Sequence, residues 1–340
     1  MHKKRQFFAL LFIAIAMVVL LFVEGNEAEQ KGEKQFFAES GFVFGTTYSI
    51  KYEADSALTT VIREAMQRVD GSLSMFNEQS TISAINRNDT SVVADSLFVR
   101  VFNRSMQISE ATHGAFDITV APLVNAWGFG FKNKMMPTQR QVDSLLQVVG
   151  YQKIRLENNK VVKNDQRIML DCSAIAKGFG CDVVAEALRA NGVENYMVEI
   201  GGEVAVGGHN ASNDAWQIGI NKPIDDSLSV RSELEAVAQL SYGGMATSGN
   251  YRNFYMHDGK KYAHTIDPKS GRSVQHNLLS ATIVAGDCMT ADAFATACMV
   301  SGLDSALSFC QANNLQGYFI YTDGTDEGYK IAMTSGFPVK

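Results

Sequence analysis

Residues 167–206 read RIMLDCSAIAKGFGCDVVAEALRANGVENYMVEIGGEVAV, an extended run, a helical run and a second extended run. The apolar residues of Arg167–Leu170 predict a strand. The apolar spacing over 175–190 predicts a helix, which Gly192 ends. Alternation over Tyr196–Val206 predicts another strand. A helix between two strands is therefore the unit from which we interpret the rest of the chain.

The segments on either side of this unit mix strands and helices without strict alternation. Apolar spacing predicts helices over 57–70, 95–111, 140–149, 292–301 and 304–313. Strand patterns occur over 42–52 with an interruption at Gly45, 153–157, 160–164, 216–221, 235–242, 279–285, 319–321 and 329–333. This order favours an α+β fold, with mixed or antiparallel sheets and packed helices, over a doubly wound parallel sheet. We predict a single compact catalytic domain over residues 39–338.

The N-terminus has the pattern of an export segment. Residues 7–23, FFALLFIAIAMVVLLFV, form an apolar run after three basic residues at positions 3–5. The run is longer than the core of a typical secretory signal and shorter than the roughly 20 residues of a spanning helix. Residues 1–25 are therefore predicted to be a signal peptide or signal anchor, and residues 26–38 a polar tether. The positive-inside rule then sends the body to the periplasmic face of the inner membrane, anchored or released after cleavage.

Composition and missing motifs exclude several classes of protein. The chain has 30 basic and 36 acidic residues and a net charge of -6, which argues against a nucleic-acid partner. Its five cysteines form no C-x-x-C pair, so we expect buried free thiols rather than a zinc site. No Walker A loop, H-E-x-x-H, G-x-S-x-G or strand-following G-x-G-x-x-G is present, so nucleotide binding would use another scaffold.

Two polar residues at predicted turns have both a functional and a structural interpretation. Asp117, within GAFDITVAPLVNAWGFG at 114–130, can accept hydrogen bonds from an adenine or flavin edge, or cap the turn before 118–126. Lys177 lies where a strand gives way to a helix N-terminus, a place that suits a pyrophosphate. The alternative for Lys177 is an exposed lysine on the first helical turn.

Two further clusters suggest catalysis and metal binding. His264 ends an extended segment before the turn sequence HTIDPKSG at 264–271, where its ring can face a cleft or pack the turn. Asp292 and Thr296 are four residues apart, hence on one helix face, and two oxygen ligands suit a hard ion such as Mg²⁺. The alternative for Asp292 is a favourable interaction with the helix dipole.

Taken together, these motifs resemble the ApbE-type flavin transferases, which are FAD:protein FMN transferases. The resemblance covers about residues 40–310 and rests on seven motifs in the same order. They are FGTTYSI at 44–50, GAFDITVAPLVNAWGFG at 114–130, DCSAIAKGFGCD at 171–182, VEIGGEVAVGG at 198–208, ATSGNY at 246–251, HTIDPKSG at 264–271 and ADAFAT at 291–296.

The resemblance implies a reaction and a set of site residues. FAD would bind in a cleft with Mg²⁺ on its pyrophosphate, and a threonine or serine hydroxyl of an acceptor protein would attack the FMN phosphorus and release AMP. His264 matches the catalytic histidine of the family. Asp292, Thr296 and the backbone carbonyl of Ala174 match metal ligands. The positions that match residues lining the flavin or adenine are Phe44, Ser74, Met75, Phe76, Asp117 and Lys177.

The expected partner is a membrane electron-transport subunit, with membrane contact through the N-terminal segment. Many members of the family are lipoproteins with a cysteine after the signal, whereas the first cysteine here is Cys172. Two other functions remain open from the sequence. One is an FAD pyrophosphatase, in which water replaces the hydroxyl and FMN and AMP are released. The other is a non-enzymatic periplasmic flavin-binding protein, which would need neither Asp292 nor His264.

Overall fold

A computed structural model of the protein describes residues 34–130, 136–224, 233–251, 253–324 and 328–340. The predicted export segment and residues 26–33 of the predicted tether lie outside the described residues. Within the described ranges, no helix combines the length and the apolar character that crossing a bilayer requires.

The described part of the chain alternates irregularly between helices and strands, as the sequence predicts. Its α-helices are α1 (Thr59–Leu73), α2 (Thr81–Asn86), α3 (Ser96–Ala111), α4 (Ala121–Ala126), α5 (Gln139–Leu146), α6 (Ala176–Ala190), α7 (Cys288–Ser301) and α8 (Leu303–Ala312). Its strands are β1 (Gln35–Val43), β2 (Thr46–Ala54), β3 (Ile154–Glu157), β4 (Lys160–Lys163), β5 (Tyr196–Ile200), β6 (Glu203–Gly207), β7 (Trp216–Asn221), β8 (Leu234–Leu240), β9 (Tyr242–Gly249), β10 (Phe254–His257), β11 (Lys260–Ala263), β12 (Leu278–Ala285), β13 (Gln316–Tyr321) and β14 (Lys330–Met333).

Eight of these strands form one sheet in the order β1-β2-β5-β6-β9-β12-β13-β14. Every neighbouring pair in that order is antiparallel. The pairs β3–β4, β7–β8 and β10–β11 form separate two-stranded antiparallel ribbons. The predicted α+β class with an antiparallel sheet is confirmed.

Helices α6 and α7 cover the middle of the sheet and lie unusually close together. Helix α7 packs against α6, β9 and β12, and ten of its fourteen residues are buried. A helix that is apolar on nearly all sides belongs in a core. At the contact, Gly178 has no room for a side chain, because a Cβ atom there would lie 2.4 Å from the carbonyl oxygen of Cys288.

This close contact predicts opposite effects for two glycine-to-alanine substitutions. Gly178→Ala should lower the free energy of unfolding by about 1–3 kcal/mol, since the new methyl group forces α6 and α7 apart. Gly71→Ala, on the exposed face of α1 with open space around its Cβ position, should raise it by about 0.5–1 kcal/mol through helix propensity. Urea denaturation of both variants measures the difference, and equal values would refute the tight α6–α7 contact.

The prediction of a strand over Arg167–Leu170 is wrong, although Ile168 and Leu170 are fully buried. A side chain, rather than a neighbouring strand, forms hydrogen bonds with the backbone of this segment. The Asn86 amide donates to the Leu170 carbonyl at 2.9 Å and accepts from the Leu170 N–H at 2.8 Å. The N–H and the carbonyl of Leu170 are thereby satisfied without a neighbouring strand, which a periodicity pattern does not reveal.

The single interrupted strand predicted over 42–52 is a hairpin of β1 and β2. Its turn residues Phe44 and Gly45 have φ angles of 52° and 75°. Strand β1 begins at Gln35, within the segment assigned to the tether. The hairpin predicted around Asn158 and Asn159 is confirmed, and both asparagines have positive φ. The five cysteines are buried free thiols, as expected.

Candidate active site

A cavity of about 530 Å³ opens where the N-terminal turn of α6, the middle of α7 and several loops meet. Loops after α1, after α3 and after β11 form the other walls, together with the β5–β6 turn and the end of β9. Eight of the ten site residues expected from the sequence line it, although they come from five separate stretches of the chain. They are Met75, Phe76, Asp117, Ala174, Lys177, His264, Asp292 and Thr296.

Phe44 and Ser74 are not among the lining residues of this cavity. Phe44 occupies the β1–β2 turn, and its ring lies against Gly180 of α6, where a Cβ atom would be 2.8 Å from Cε2. Ser74 is the C-cap residue after α1, and its carbonyl accepts a 2.6 Å hydrogen bond from the Ser80 hydroxyl. Both residues support elements that carry the site without facing it.

The three residues expected to bind a metal line one cavity beside the α6–α7 contact. Gly178 N–H donates to Asp292 Oδ2 at 3.0 Å. A regular helix would direct that N–H to the carbonyl of Ala174, which lies just before α6. The Ala174 carbonyl is thereby released from helix bonding. Ala174 lines the same cavity as Asp292 and Thr296, and the hard oxygen donors of these three residues fit Mg²⁺.

Lys177 is held between two carboxylates rather than exposed on a solvated helix face. Its Nζ lies 2.5 Å from Glu203 Oε1 and 4.0 Å from Asp292 Oδ1. Burial alone would lower the pKa of Lys177, but the charges of Asp292 and Glu203 raise it above its ordinary value. Burial raises the pKa of Glu203 to about 7, and Lys177 opposes that rise. The ammonium stays charged at neutral pH.

The His264 ring is fixed by its neighbours and keeps a nitrogen available. Its Nδ1 lies 3.2 Å from the carbonyl oxygen of Asn253, an atom that can only accept, so Nδ1 carries the proton and Nε2 keeps its lone pair. The Phe129 ring meets the imidazole edge-on at 6.4 Å. Burial and the Lys177 charge lower the pKa of His264, although the Asn253 carbonyl opposes the shift. The neutral imidazole, which can accept a proton, is therefore favoured.

The loop after His264 is built by the turn that the sequence predicts. Asp267 accepts from the backbone N–H groups of Lys269 and Ser270, and its carbonyl accepts from Gly271 N–H at 2.8 Å. Gly271 has φ +67, and a Cβ atom there would lie 2.6 Å from Val142. The turn thus sets the backbone that presents His264.

Asp117 anchors a second wall of the cavity. Its Oδ1 accepts from the Thr119 N–H and hydroxyl at 2.8 and 2.7 Å, and its Oδ2 accepts from Tyr151 N–H at 2.7 Å. Burial raises the pKa of Asp117, against the effect of these hydrogen bonds. The turn-capping role is therefore present, and the carboxylate still borders the cavity.

Aromatic rings continue from this wall towards His264. Tyr255 lies between Tyr262 and Phe129, with ring centroids 5.6 and 5.2 Å away. Tyr262 in turn stacks on Trp127 at 5.6 Å. Such stacked rings form a rigid surface beside the histidine.

Sequence reasoning missed several polar lining residues, of which Glu203 matters most. Others are Asp171, Ser173, Asn221, Asn253 and Thr265. The signal for Glu203 was available, because it is the one charged residue of the otherwise apolar strand EVAVG and every residue of that strand is buried. With Glu203 included, four carboxylates and one lysine line the described part of the cavity, so its formal charge is negative before any ligand binds.

Comparison with known proteins adds independent information. The model of the ApbE family matches residues 44–319. The chain is 37% identical over 341 residues to the FAD:protein FMN transferase of Haemophilus influenzae, covering 96% of this chain and 95% of that protein. It is 36% identical over 333 residues to the protein of the same name from Vibrio cholerae, covering 95% and 97%. The solved structure of the flavin transferase ApbE from Vibrio cholerae matches with a TM-score of 0.80 and 34% identity, over 90% of this chain and 99% of that chain.

Proposed function

This chain belongs to the ApbE family and is a transferase, and from that premise we propose that it transfers the FMN moiety of FAD to a threonine or serine hydroxyl of an acceptor protein, with release of AMP. The observation that carries the proposal is the oxygen-rich, negatively charged cavity at the α6–α7 contact. A pyrophosphate is itself an anion, so it needs added positive charge to enter such a cavity.

Mg²⁺ fits this requirement, held by Asp292, Thr296 and the Ala174 carbonyl. When bound, it would neutralise charge on the pyrophosphate oxygens. Lys177 adds an ammonium on the same side of the cavity, at the start of α6. The residues of the chain would thus bind and orient the diphosphate. Such positioning and charge stabilisation provide most of the rate enhancement in phosphoryl transfer.

The bond changes follow from this arrangement. The acceptor hydroxyl oxygen forms a bond to the FMN phosphorus, the bridging P–O bond breaks, and AMP leaves with the bridging oxygen. The hydroxyl loses its proton, and His264 Nε2 has the lone pair to accept it. The lowered pKa of His264 supports this role because the imidazole is neutral at pH 7.

The runner-up function is FAD pyrophosphatase, in which water attacks the same phosphorus. The two reactions are separated by incubating the protein with FAD and Mg²⁺, with and without an acceptor polypeptide, and quantifying AMP and free FMN. Transfer predicts that AMP formation depends on the acceptor and that little free FMN appears. AMP and free FMN in equal amounts without acceptor would establish the pyrophosphatase instead.

We place the reaction outside the cytoplasm, with a membrane electron-transport subunit as acceptor. The basic residues at 3–5 followed by the apolar run at 7–23 support the location, whereas the acceptor is what the family resemblance implies. Non-enzymatic flavin binding is disfavoured by the oxygen donors of α7 and by His264, because flavin binding alone requires neither.

The Lys177 ammonium provides a prediction about FAD affinity. Lys177→Ala should weaken FAD binding about tenfold to a hundredfold, the usual value of one charge-assisted contact to a phosphate. Flavin fluorescence titration measures the dissociation constant. Lys153→Ala is a matched control, because its ammonium binds the Leu146 and Gln147 carbonyls outside the cavity. An unaltered dissociation constant for Lys177→Ala would remove Lys177 from the binding site.

A further inference from the structure

We propose that Glu203 is a positioning residue that holds the Lys177 ammonium away from Asp292, and thereby keeps the Asp292 carboxylate open for a divalent cation. The inference rests on the proposed function, in which Asp292 is a ligand of Mg²⁺. The inference adds Glu203 to the site and gives it a role, which is to favour the divalent cation over the Lys177 ammonium as the partner of Asp292.

The first observation is that Lys177 lies at unequal distances from the carboxylates of Glu203 and Asp292. Lys177 Nζ lies 2.5 Å from Glu203 Oε1 but 4.0 Å from Asp292 Oδ1. Two carboxylates compete for one ammonium, and Glu203 has the short contact. Asp292 instead uses Oδ2 to accept the Gly178 N–H at 3.0 Å, and its Oδ1 lies 4.0 Å from the ammonium, beyond hydrogen-bond distance.

The position of Glu203 is fixed by the strand that carries it. Glu203 is the first residue of β6 and is only 5% exposed. The Lys177 side chain passes close to Gly201, where an added Cβ atom would lie 3.3 Å from Lys177 Cδ. A buried carboxylate is costly unless an opposite charge compensates it, and Lys177 supplies that charge. The ion pair therefore holds the ammonium nearer to Glu203 than to Asp292.

The consequence concerns competition for Asp292. Without the Glu203 charge, Asp292 is the nearest counter-ion of Lys177, and the lysine side chain is long enough to close the 4.0 Å gap. A divalent cation would then have to displace an ion pair before it could bind. We expect this to lower cation affinity about tenfold to a hundredfold, the range for charge-assisted contacts.

A second interpretation of Glu203 must be separated from this one. Its Oε2 is buried and has no hydrogen-bond partner among the described residues, and Glu203 borders the cavity. Glu203 acting directly as a cation ligand would use that oxygen. The two roles differ in one respect: positioning requires Lys177, whereas direct ligation does not.

The test is a double-mutant cycle on the full chain without FAD. Mn²⁺ is the probe, and electron paramagnetic resonance measures its dissociation constant. The four proteins are the wild type, Glu203→Gln, Lys177→Met and the double variant. We expect Glu203→Gln to weaken Mn²⁺ binding about tenfold to a hundredfold with Lys177 present. In the Lys177→Met background the same change should cost less than about threefold, because no competing ammonium remains.

Three results would overturn the proposal. An equal loss in both backgrounds would show that Glu203 ligates the cation or acts through its charge alone. No loss in either background would leave Glu203 a structural residue. A loss of the same size for Glu199→Gln, which removes a half-buried carboxylate bonded to Gly202 N–H, would show a general charge effect.

Two additional variants keep the test decisive. Glu203→Asp retains the negative charge but shortens the side chain by one methylene group. Weaker Mn²⁺ binding by a folded variant supports the positioning role of Glu203. Mn²⁺ binding as tight as in the wild type contradicts that role. Asp292→Asn tests the metal site itself. If it leaves Mn²⁺ binding unchanged, the failure lies in the proposed metal ligand and hence in the proposed function, whatever Glu203 does.

Discussion

Asp292→Ala is expected to reduce Mg²⁺-dependent transfer roughly a thousandfold or more while leaving the protein folded. Asp292 is the one charged group in the proposed ligand set, and the electrostatic contribution of a bound metal to a phosphoryl transition state is several kcal/mol. Each 1.36 kcal/mol of lost stabilisation is a tenfold loss of rate. Single-turnover transfer at saturating FAD and Mg²⁺ measures the effect.

Two controls separate the loss of a metal ligand from damage to α7. Asp292→Asn keeps an oxygen for the Gly178 N–H, so it should preserve the melting temperature and still lose most of the activity. Asp287→Asn, at the N-cap of the same helix, keeps the acceptor for Thr290 N–H and should transfer FMN at a near-normal rate. Normal turnover in Asp292→Ala would refute the assignment of Asp292 to the metal.

His264→Ala is expected to slow transfer about 10²–10⁴-fold, the range for loss of a general base, with FAD and Mg²⁺ affinity nearly intact. The pH dependence of the transfer rate has a predicted direction. Only neutral imidazole accepts a proton, so the wild-type rate should fall as the pH drops through the pKa of His264. Burial holds that pKa below its ordinary value of about 6.5, so this acid limb should lie below pH 6.5 and vanish in the variant.

A second histidine provides the control for packing effects. His276 Nε2 donates to the Met299 carbonyl at 2.7 Å, and His276 does not line the cavity. His276→Ala should therefore lower the melting temperature without changing the transfer rate of the folded protein. If His264→Ala behaves in the same way, His264 only packs its loop, and the rate arises from binding and charge neutralisation of the diphosphate.

Local features of the sequence singled out several residues of the site but left a structural alternative for each, and the resemblance to the ApbE family decided between them. Lys177 stands at a helix start, His264 precedes a turn, and Asp292 and Thr296 share a helix face at a spacing of four. Each feature is set by a few neighbouring residues. Their assembly into one cavity is shown by the structure.

What the sequence missed depends on contacts between distant residues. Glu203 meets Lys177 across 26 positions, because the β5–β6 turn brings the start of β6 beside the start of α6. The false strand at Arg167–Leu170 has the same origin, since Asn86 lies 84 positions from Leu170. Periodicity reports which residues are buried, but it does not report which distant group satisfies their backbone.

The intact mass of an acceptor polypeptide tests the central claim most directly. A subunit of a Na⁺-pumping or related electron-transport complex, containing its threonine, is incubated with the protein, FAD and Mg²⁺, beside a matched acceptor in which that threonine is replaced by valine. The account predicts a mass gain of one FMN moiety on the threonine-containing acceptor, one AMP released per acceptor modified, and no gain on the valine control. Free FMN and AMP with an unmodified acceptor would contradict it.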